Sequence, residues 1–256
     1  MIRTLFLGKH TGGNNHCLGI DALKSLLNNE HFEVVGCITT QKDLLYDFCI
    51  KNKINVANNV KSCYNIRDID LAISYGFSKL IKENLINKCR IGCINFHPAP
   101  LPEWRGMGGV FNFAIYEKES RWGVTSHFVD NKFDTGDIIK KNSFTLRDED
   151  YSISSLTKRS HTEMLKLFHE TMNIVVKCEL ENIVVPRKKQ EKGRYISRKD
   201  FEELRRINKN DSSDIIDKKI KSFFHPPYHG ACIMLDGKEY TLLNSEMLNK
   251  IEIKDH

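Results

Sequence analysis

No run of apolar residues in this chain approaches the roughly 20 that a membrane-spanning helix requires. The opening residues, Met-Ile-Arg-Thr-Leu-Phe-Leu-Gly, pass straight into a strand-like segment, without the leader of roughly 15–30 residues that directs secretion. A cytoplasmic protein with no membrane partner is expected. Cys-x-x-Cys pairs are missing among the eight cysteines. Cys89 and Cys93 stand four apart with no second pair to complete a zinc site, so the cysteines are expected to be small buried apolar residues and no metal is expected. The glycine-rich loop Lys9-His-Thr-Gly-Gly-Asn-Asn15 is neither G-x-G-x-x-G nor a Walker sequence, which removes the dinucleotide and P-loop readings. It remains a place to look for ligand, because open α/β sheets bind at the carboxyl ends of their strands. Internal repeats and low-complexity tracts are also missing. Proline is scarce, six in 256 residues, and three of the six fall between positions 98 and 102.

What is present describes a folded chain. Apolar residues make up 40% and charged residues 28%, a balance that excludes a disordered polymer. The net charge of +6 is concentrated: residues 186–221 hold thirteen Lys/Arg against seven Asp/Glu, so the rest is near neutral. A basic segment fits either an anionic partner (phosphate, nucleotide or RNA) or an ordinary solvated surface.

Residues 2–7, 32–38, 69–74 and 90–96 read as strands, and 18–27, 43–51 and 78–88 as helices between them. Such alternation implies βαβ units and a mostly parallel sheet. Further on, 107–116 reads as a helix, 123–130 and 138–144 as strands, and 152–181 as one long helix with serine and threonine capping candidates at its start. Composition changes at Pro186. Beyond it, 198–207 and 213–223 read as short helices. Residues 231–235 and 239–243 flank Asp236-Gly237, a strong type I′ hairpin signal.

The stretch that organises the rest is Asn95-Phe-His97-Pro-Ala-Pro-Leu-Pro-Glu-Trp-Arg-Gly106. Residues two apart on a strand share a face, so Asn95 and His97 project together from a strand end. The prolines then hold the next segment extended. An imidazole can act as a general base near neutrality, and an amide can donate to a developing oxyanion. A carboxylate would complete the set. Asp134, in the tight turn Asp134-Thr-Gly-Asp137, is the leading candidate, with Asp130 and Asp137 as rivals. A bare Asn-x-His is more often ordinary hydrogen bonding than catalysis; the proline loop and the Asp-Thr-Gly-Asp turn are what raise it.

Together with Trp122-Gly-Val-Thr-Ser-His-Phe-Val-Asp130, Phe133-Asp-Thr-Gly-Asp-Ile-Ile139 and Ser74-Tyr75-Gly76, this stretch resembles the 10-formyltetrahydrofolate-dependent formyltransferases, over about residues 1–180. The resemblance implies a Rossmann-like α/β formyltransferase domain over residues 1–186. A small C-terminal α+β subdomain with a β-hairpin, for nucleotide binding and dimerisation, would occupy 187–256. It implies Asn95, His97 and Asp134 as catalytic residues: His97 takes the proton of an attacking amine, Asn95 binds the oxyanion, and Asp134 orients His97. It implies a folate site formed by Phe77, Leu80, Ile81, Asp130 and Gly136.

Within the family, His-Pro-Ala-Pro-Leu-Pro with Gly-Val-Thr-Ser-His looks most like the enzymes that formylate dTDP-linked amino-deoxyhexoses. The expected acceptor is dTDP-4-amino-4,6-dideoxyglucose, for a surface polysaccharide (O-antigen). Expected nucleotide-sugar contacts are Lys9, Trp104, Arg105, Tyr195, Arg198, Phe223, Phe224 and Tyr228. A homodimer is expected and nucleic acid is not. The competing readings are a methionyl-tRNA formyltransferase that docks RNA on the basic tail, and a nucleotide-binding module with a dead site.

Overall fold

A computed structural model describes residues 1–9, 18–59, 61, 66–106, 109–249 and 251. Residues 10–15 of the glycine-rich loop, and Met107 and Gly108 at the expected start of the fourth helix, lie outside the described residues.

The first part of the chain alternates as the sequence predicts: β1 (Ile2–Gly8), α1 (Leu18–Leu27), β2 (Phe32–Ile38), α2 (Leu44–Lys51), β3 (Val56–Ala57), β4 (Ile69–Tyr75), α3 (Glu83–Ile86) and β5 (Cys89–His97). After β6 (Trp104–Arg105) and α4 (Val110–Glu117) come β7 (Arg121–Phe128), β8 (Ile138–Thr145) and the long helix α5 (Ile153–Leu180). The seven-stranded sheet has the order β3-β2-β1-β4-β5-β7-β8. Pairings from β3 through β5 are parallel, and β7 runs antiparallel to β5. β1 and β4 are buried almost end to end, as strands covered on both faces must be. β8 alternates polar and half-buried residues and carries Lys140 and Lys141, the pattern of a protected edge.

Alternation along the strands sorts their side chains into two layers. On one face Phe6, Ile73, Tyr75, Ile94, Phe96 and Phe128 pack against α1, α2 and α5, with Phe168 of α5 set against Tyr75 and Phe96. On the other face Leu5, Leu7, Ala72 and Cys93 pack with Ile81 and with Leu85 of α3. Asn95 and His97 continue the second face beyond Cys93. The apolar layer therefore stops where the polar pair begins.

The expected helix over 78–88 shrinks to the four residues of α3. Its first half is irregular, with Ile81 buried in the second core layer and Phe77 packed against that layer. The backbone N–H groups of 77–81 are thereby left out of helical pairing. The described cysteines, Cys37, Cys49, Cys89, Cys93, Cys178 and Cys232, are buried and form no disulfide. No helix among the described residues is long and apolar enough to cross a membrane.

The chain packs as two compact units: Met1–Arg105 with Gly123–Ser143 and Ser160–Arg194, and Gly106–Trp122 with Phe144–Arg159 and Tyr195–His256. The boundaries fall inside β7, β8 and α5. In the second unit α4 packs on α7 (Ser213–Phe223), and α6 (Arg198–Arg205) on α7. Its core gathers Ile207, Ile220, Phe223, Ala231 and Met247, the last from α8 (Ser245–Leu248). Residues β10 (Cys232–Leu235) and β11 (Lys238–Thr241) form the antiparallel hairpin expected around Asp236-Gly237. The short strands β6 and β9 (Arg194–Tyr195), which pair with each other, have no periodic signal in the sequence.

Candidate active site

Strand register builds the site. Ser74 of β4, Asn95 of β5 and His127 of β7 are direct cross-strand partners in a single row. Ser74 Oγ donates to Asn95 Oδ1 at 2.7 Å, and Asn95 Nδ2 lies 3.0 Å from His127 Nε2. One row further along, His97 faces Thr125.

Acceptors on the backbone settle the tautomers. His127 Nδ1 is 2.7 Å from the Phe128 carbonyl, which can only accept, so Nδ1 carries the proton and Nε2 accepts from the Asn95 amide in neutral His127. That fixes the orientation of Asn95: its oxygen faces Ser74, one N–H goes to His127, and its second N–H is what it can offer a ligand oxygen. His97 Nε2 is 2.8 Å from the Trp104 carbonyl, so it too is a donor. The atom of neutral His97 able to take a proton is Nδ1.

His97 Nδ1 lies 3.6 Å from Asp134 Oδ1, and so does His127 Nε2. One carboxylate oxygen thus stands between two imidazoles. The side chains of His97, His127 and Asp134 are 8%, 2% and 10% exposed, so little solvent screens their charges. At 3.6 Å the contacts are longer than hydrogen bonds, and in the neutral rings neither facing nitrogen has a proton to donate; only when His97 Nδ1 takes a proton can it donate to Asp134.

The turn that delivers Asp134 is built residue by residue. Thr135 Oγ1 is 2.7 Å from both oxygens of Asp130, and Lys132 N donates to Asp130 Oδ1. Asp134 adopts φ 56°, the left-handed region that Asp tolerates better than bulkier residues. At Gly136 a β-carbon would stand 1.9 Å from the Phe128 carbonyl oxygen, so only glycine lets the turn close on β7. The proline loop is held as firmly: Thr125 Oγ1 donates to the Ala99 carbonyl and accepts from Leu101 N, and Lys141 Nζ donates to the Leu101 carbonyl.

Asn95, His97 and Asp134, expected together, do converge. Ser74, Thr125 and His127 join them, although sequence reasoning assigned none of the three a role. His127 sits inside a quoted motif, but only the β5–β7 register shows which way it points. Of the expected folate contacts, Phe77, Leu80 and Ile81 lie on the irregular segment after β4. There Leu80 is 40% exposed while Ile81 is buried. Asp130 and Gly136 are committed to shaping the turn.

The expected nucleotide-sugar residues divide between the two units. Lys9, Trp104 and Arg105 belong to the first. The Trp104 ring is buried, with the Arg194 guanidinium 5.0 Å from its centre. Arg105 directs Nε and Nη2 to Gln190 Oε1, and Nη2 also to the Glu191 carbonyl. Tyr195, Arg198, Phe223, Phe224 and Tyr228 belong to the second. Phe223 is buried in that unit's core against Phe201, and Phe224 packs at its edge, because α7 turns its apolar side inward there. Tyr228 is exposed and stacks on His225, Tyr195 is half exposed, and Arg198 pairs with Glu202.

Residues 13–172, more than half of the chain, match the family model described as "Formyl transferase". The chain belongs to the formyl transferase family. Among curated formyl transferases, the methionyl-tRNA formyltransferase of Ehrlichia canis is 26% identical over 261 residues, covering 92% of this chain and 80% of its own. Among solved structures, a 4-N formyltransferase from Francisella tularensis superposes with a TM-score of 0.72 at 22% identity, covering 94% of this chain and 96% of its own. An N-formyltransferase from Helicobacter canadensis, in complex with folinic acid and dTDP-3-aminofucose, superposes with a TM-score of 0.68 at 23% identity, covering 93% and 85%. The formyl transferase fold thus extends over both units' residues, tail included.

Proposed function

We propose that this protein moves a formyl group from 10-formyltetrahydrofolate to the amine of a dTDP-linked amino-deoxyhexose, with dTDP-4-amino-4,6-dideoxyglucose, a precursor of surface polysaccharide such as O-antigen, as the leading acceptor. The observation that carries the reading is the buried cluster at the end of β5, where Asp134 Oδ1 stands 3.6 Å from both His97 Nδ1 and His127 Nε2 beside the Asn95 amide. The nucleotide-sugar reading is supported by the fold's likeness to the Helicobacter enzyme solved with folinic acid and dTDP-3-aminofucose, a likeness that covers 93% of this chain.

The roles follow from the fixed tautomers. His97 Nδ1 takes the proton from the amine as the new C–N bond forms, and returns it to the folate nitrogen as the bond from that nitrogen to the formyl carbon breaks and tetrahydrofolate leaves. Asp134 stabilises the imidazolium that results, since a carboxylate close to a buried cation favours the charged form. Asn95 gives its second N–H to the formyl oxygen as negative charge develops there. Ser74 and His127 hold that amide in its donating orientation. The folate lies along residues 77–81, whose backbone groups are not spent on a helix, and against the turn 130–136. The residues present fit a formyl donor: a base, an oxyanion donor and a carboxylate meet at one strand end. The tail beyond residue 186 supplies nucleotide contacts from Tyr195, Arg198 and Tyr228, and joins two copies into a cytoplasmic homodimer.

The amine must be neutral to attack, so turnover falls as pH is lowered. A panel of dTDP-amino sugars with the amine at C-3 or C-4, assayed with 10-formyltetrahydrofolate, tests the acceptor. Formylation of the 4-amino-glucose isomer at the highest kcat/KM is expected. Turnover of methionyl-tRNA with no sugar-nucleotide activity would replace this reading by its rival, which the curated relatives favour.

A further inference from the structure

After α5, within the first unit, residues 188–194 touch both the turn that carries Asp134 and the proline loop. Lys188 pairs with Ile138 at the start of β8. Gln190 Nε2 donates to the Asp134 carbonyl at 3.2 Å and to the Gly136 carbonyl at 2.6 Å. Its Oε1 accepts from Arg105 Nε at 3.2 Å and Nη2 at 2.9 Å. Gly193 lies so close to the proline loop that a β-carbon would stand 1.7 Å from the Pro102 carbonyl oxygen. The residue preceding Arg105, Trp104, supplies the carbonyl that holds His97 Nε2.

The Gln190 amide therefore has one permitted orientation. Two carbonyls can only accept and a guanidinium can only donate, so the amino end must face the turn and the oxygen must face Arg105. Each end of this one side chain holds a different loop. The turn it grips places a non-glycine residue at φ 56°, a conformation that persists where the surroundings enforce it.

We propose that Gln190 is a positioning residue for Asp134, and that Arg105 sets the orientation of its amide. It fixes the backbone on both sides of Thr135 and so holds the carboxylate at its distance from His97 and His127. The proposal rests on the formyl-transfer reading only for its effect on rate. One variant is Gln190→Ala, which removes both grips. A second variant, Gln190→Glu, keeps the Arg105 contact but sets a carboxylate oxygen against two carbonyls.

Both should lower kcat about 10-fold or more with KM for the acceptor within about 2-fold, and Gln190→Glu should be the worse despite keeping its size. Because the effect runs through Asp134, adding Gln190→Ala to Asp134→Asn should cost less than about 2-fold further. Independently of turnover, amide hydrogen exchange of the peptide covering residues 130–137 should quicken in Gln190→Ala while the peptides of β4 and β5 stay as in the parent. Unchanged exchange in 130–137 overturns the positioning role even where no acceptor has been identified. A loss confined to KM, or a full multiplicative loss on top of Asp134→Asn, overturns it as well. A parent enzyme inactive on every acceptor tested, with 130–137 loosened in the variant, counts against the function and leaves the positioning role supported.

Discussion

At the scale of single residues, one carboxylate oxygen serves two imidazoles, and the backbone decides what each imidazole can do. Trp104 and Phe128 contribute only carbonyls, yet those carbonyls set which nitrogen of His97 and His127 is protonated. His97→Asn and Asp134→Asn should each lower turnover by at least about 100-fold, the usual scale for losing a general base or its partner. Asn keeps the left-handed backbone at 134 accessible, so the Asp134→Asn melting point should stay near the parent's. Near-normal turnover in either variant would remove the assignment. Ser74→Ala leaves Asn95 Oδ1 without its donor in a half-buried site. It should cost about 1 kcal/mol in denaturant unfolding. Turnover should drop roughly 10-fold as the amide loses its anchor, on the scale of weakening one oxyanion donor. Both losses are measurable on one preparation.

At the scale of elements, two close approaches decide whether the loops hold. The turn after β7 closes on the strand only through Gly136. Gly136→Ala should therefore lower stability by several kcal/mol, in the range of the larger backbone and overpacking losses, and should lose activity in parallel. In the second unit, Asp211 binds the buried ammonium of Lys219 near the start of α7. The backbone N–H of Asn208, and then Lys219, hold the Asp211 carboxyl below the ordinary carboxylate range. Arg205 does the same for Glu239 of β11. Groups whose folded pKa is depressed stabilise the fold above their unfolded pKa and lose that contribution as pH falls through the folded value. Acid should therefore lower the melting temperature progressively below about pH 4, where free carboxylates begin to protonate. Asp211→Asn should flatten that limb, and an unchanged acid limb would refute the assignment. Asp211→Ala, which leaves Lys219 buried beside the Arg206 carbonyl alone, should cost about 3 kcal/mol near neutrality.

At the scale of the whole molecule, the basic tail separates the two readings of function. A tRNA-binding tail would show affinity falling steeply with salt, because each neutralised phosphate releases counterions. A nucleotide-sugar enzyme makes only a few such contacts. Titration with dTDP and with initiator tRNA at about 50 and 200 mM salt should show modest salt dependence for the first and no specific binding of the second. Tight, salt-sensitive tRNA binding would reverse the choice.

Much of this protein is legible without coordinates. Short apolar-rich segments, broken only by Arg3-Thr4 and by Asp70 and Ser74, mark β1 and β4, period-3.6 patterns mark α1, α2 and α5, and Asp236-Gly237 marks the hairpin, because burial and turn chemistry act locally on the chain. Asn95 and His97 are placed on one face by strand period alone. Asp134 is reachable because a tight Asp-Thr-Gly turn announces a shaped loop. The helix expected over 78–88 survives only as Glu83–Ile86, because Phe77, Ile81 and Leu85, four apart, share a layer as readily on an irregular path as on a helix, and local spacing cannot tell the two apart.

Tertiary structure alone decided the rest. Whether Ser74 stands opposite Asn95, and Asn95 opposite His127, depends on strand register, and register comes from pairing partners distant in sequence. Gln190 meets Asp134 across 56 residues by a contact that no periodicity foreshadows. The residue types of the site belong to the local sequence. Their tautomers, their distances and their supporting partners belong to the fold, since each depends on a carbonyl or a carboxylate that another strand brings into place.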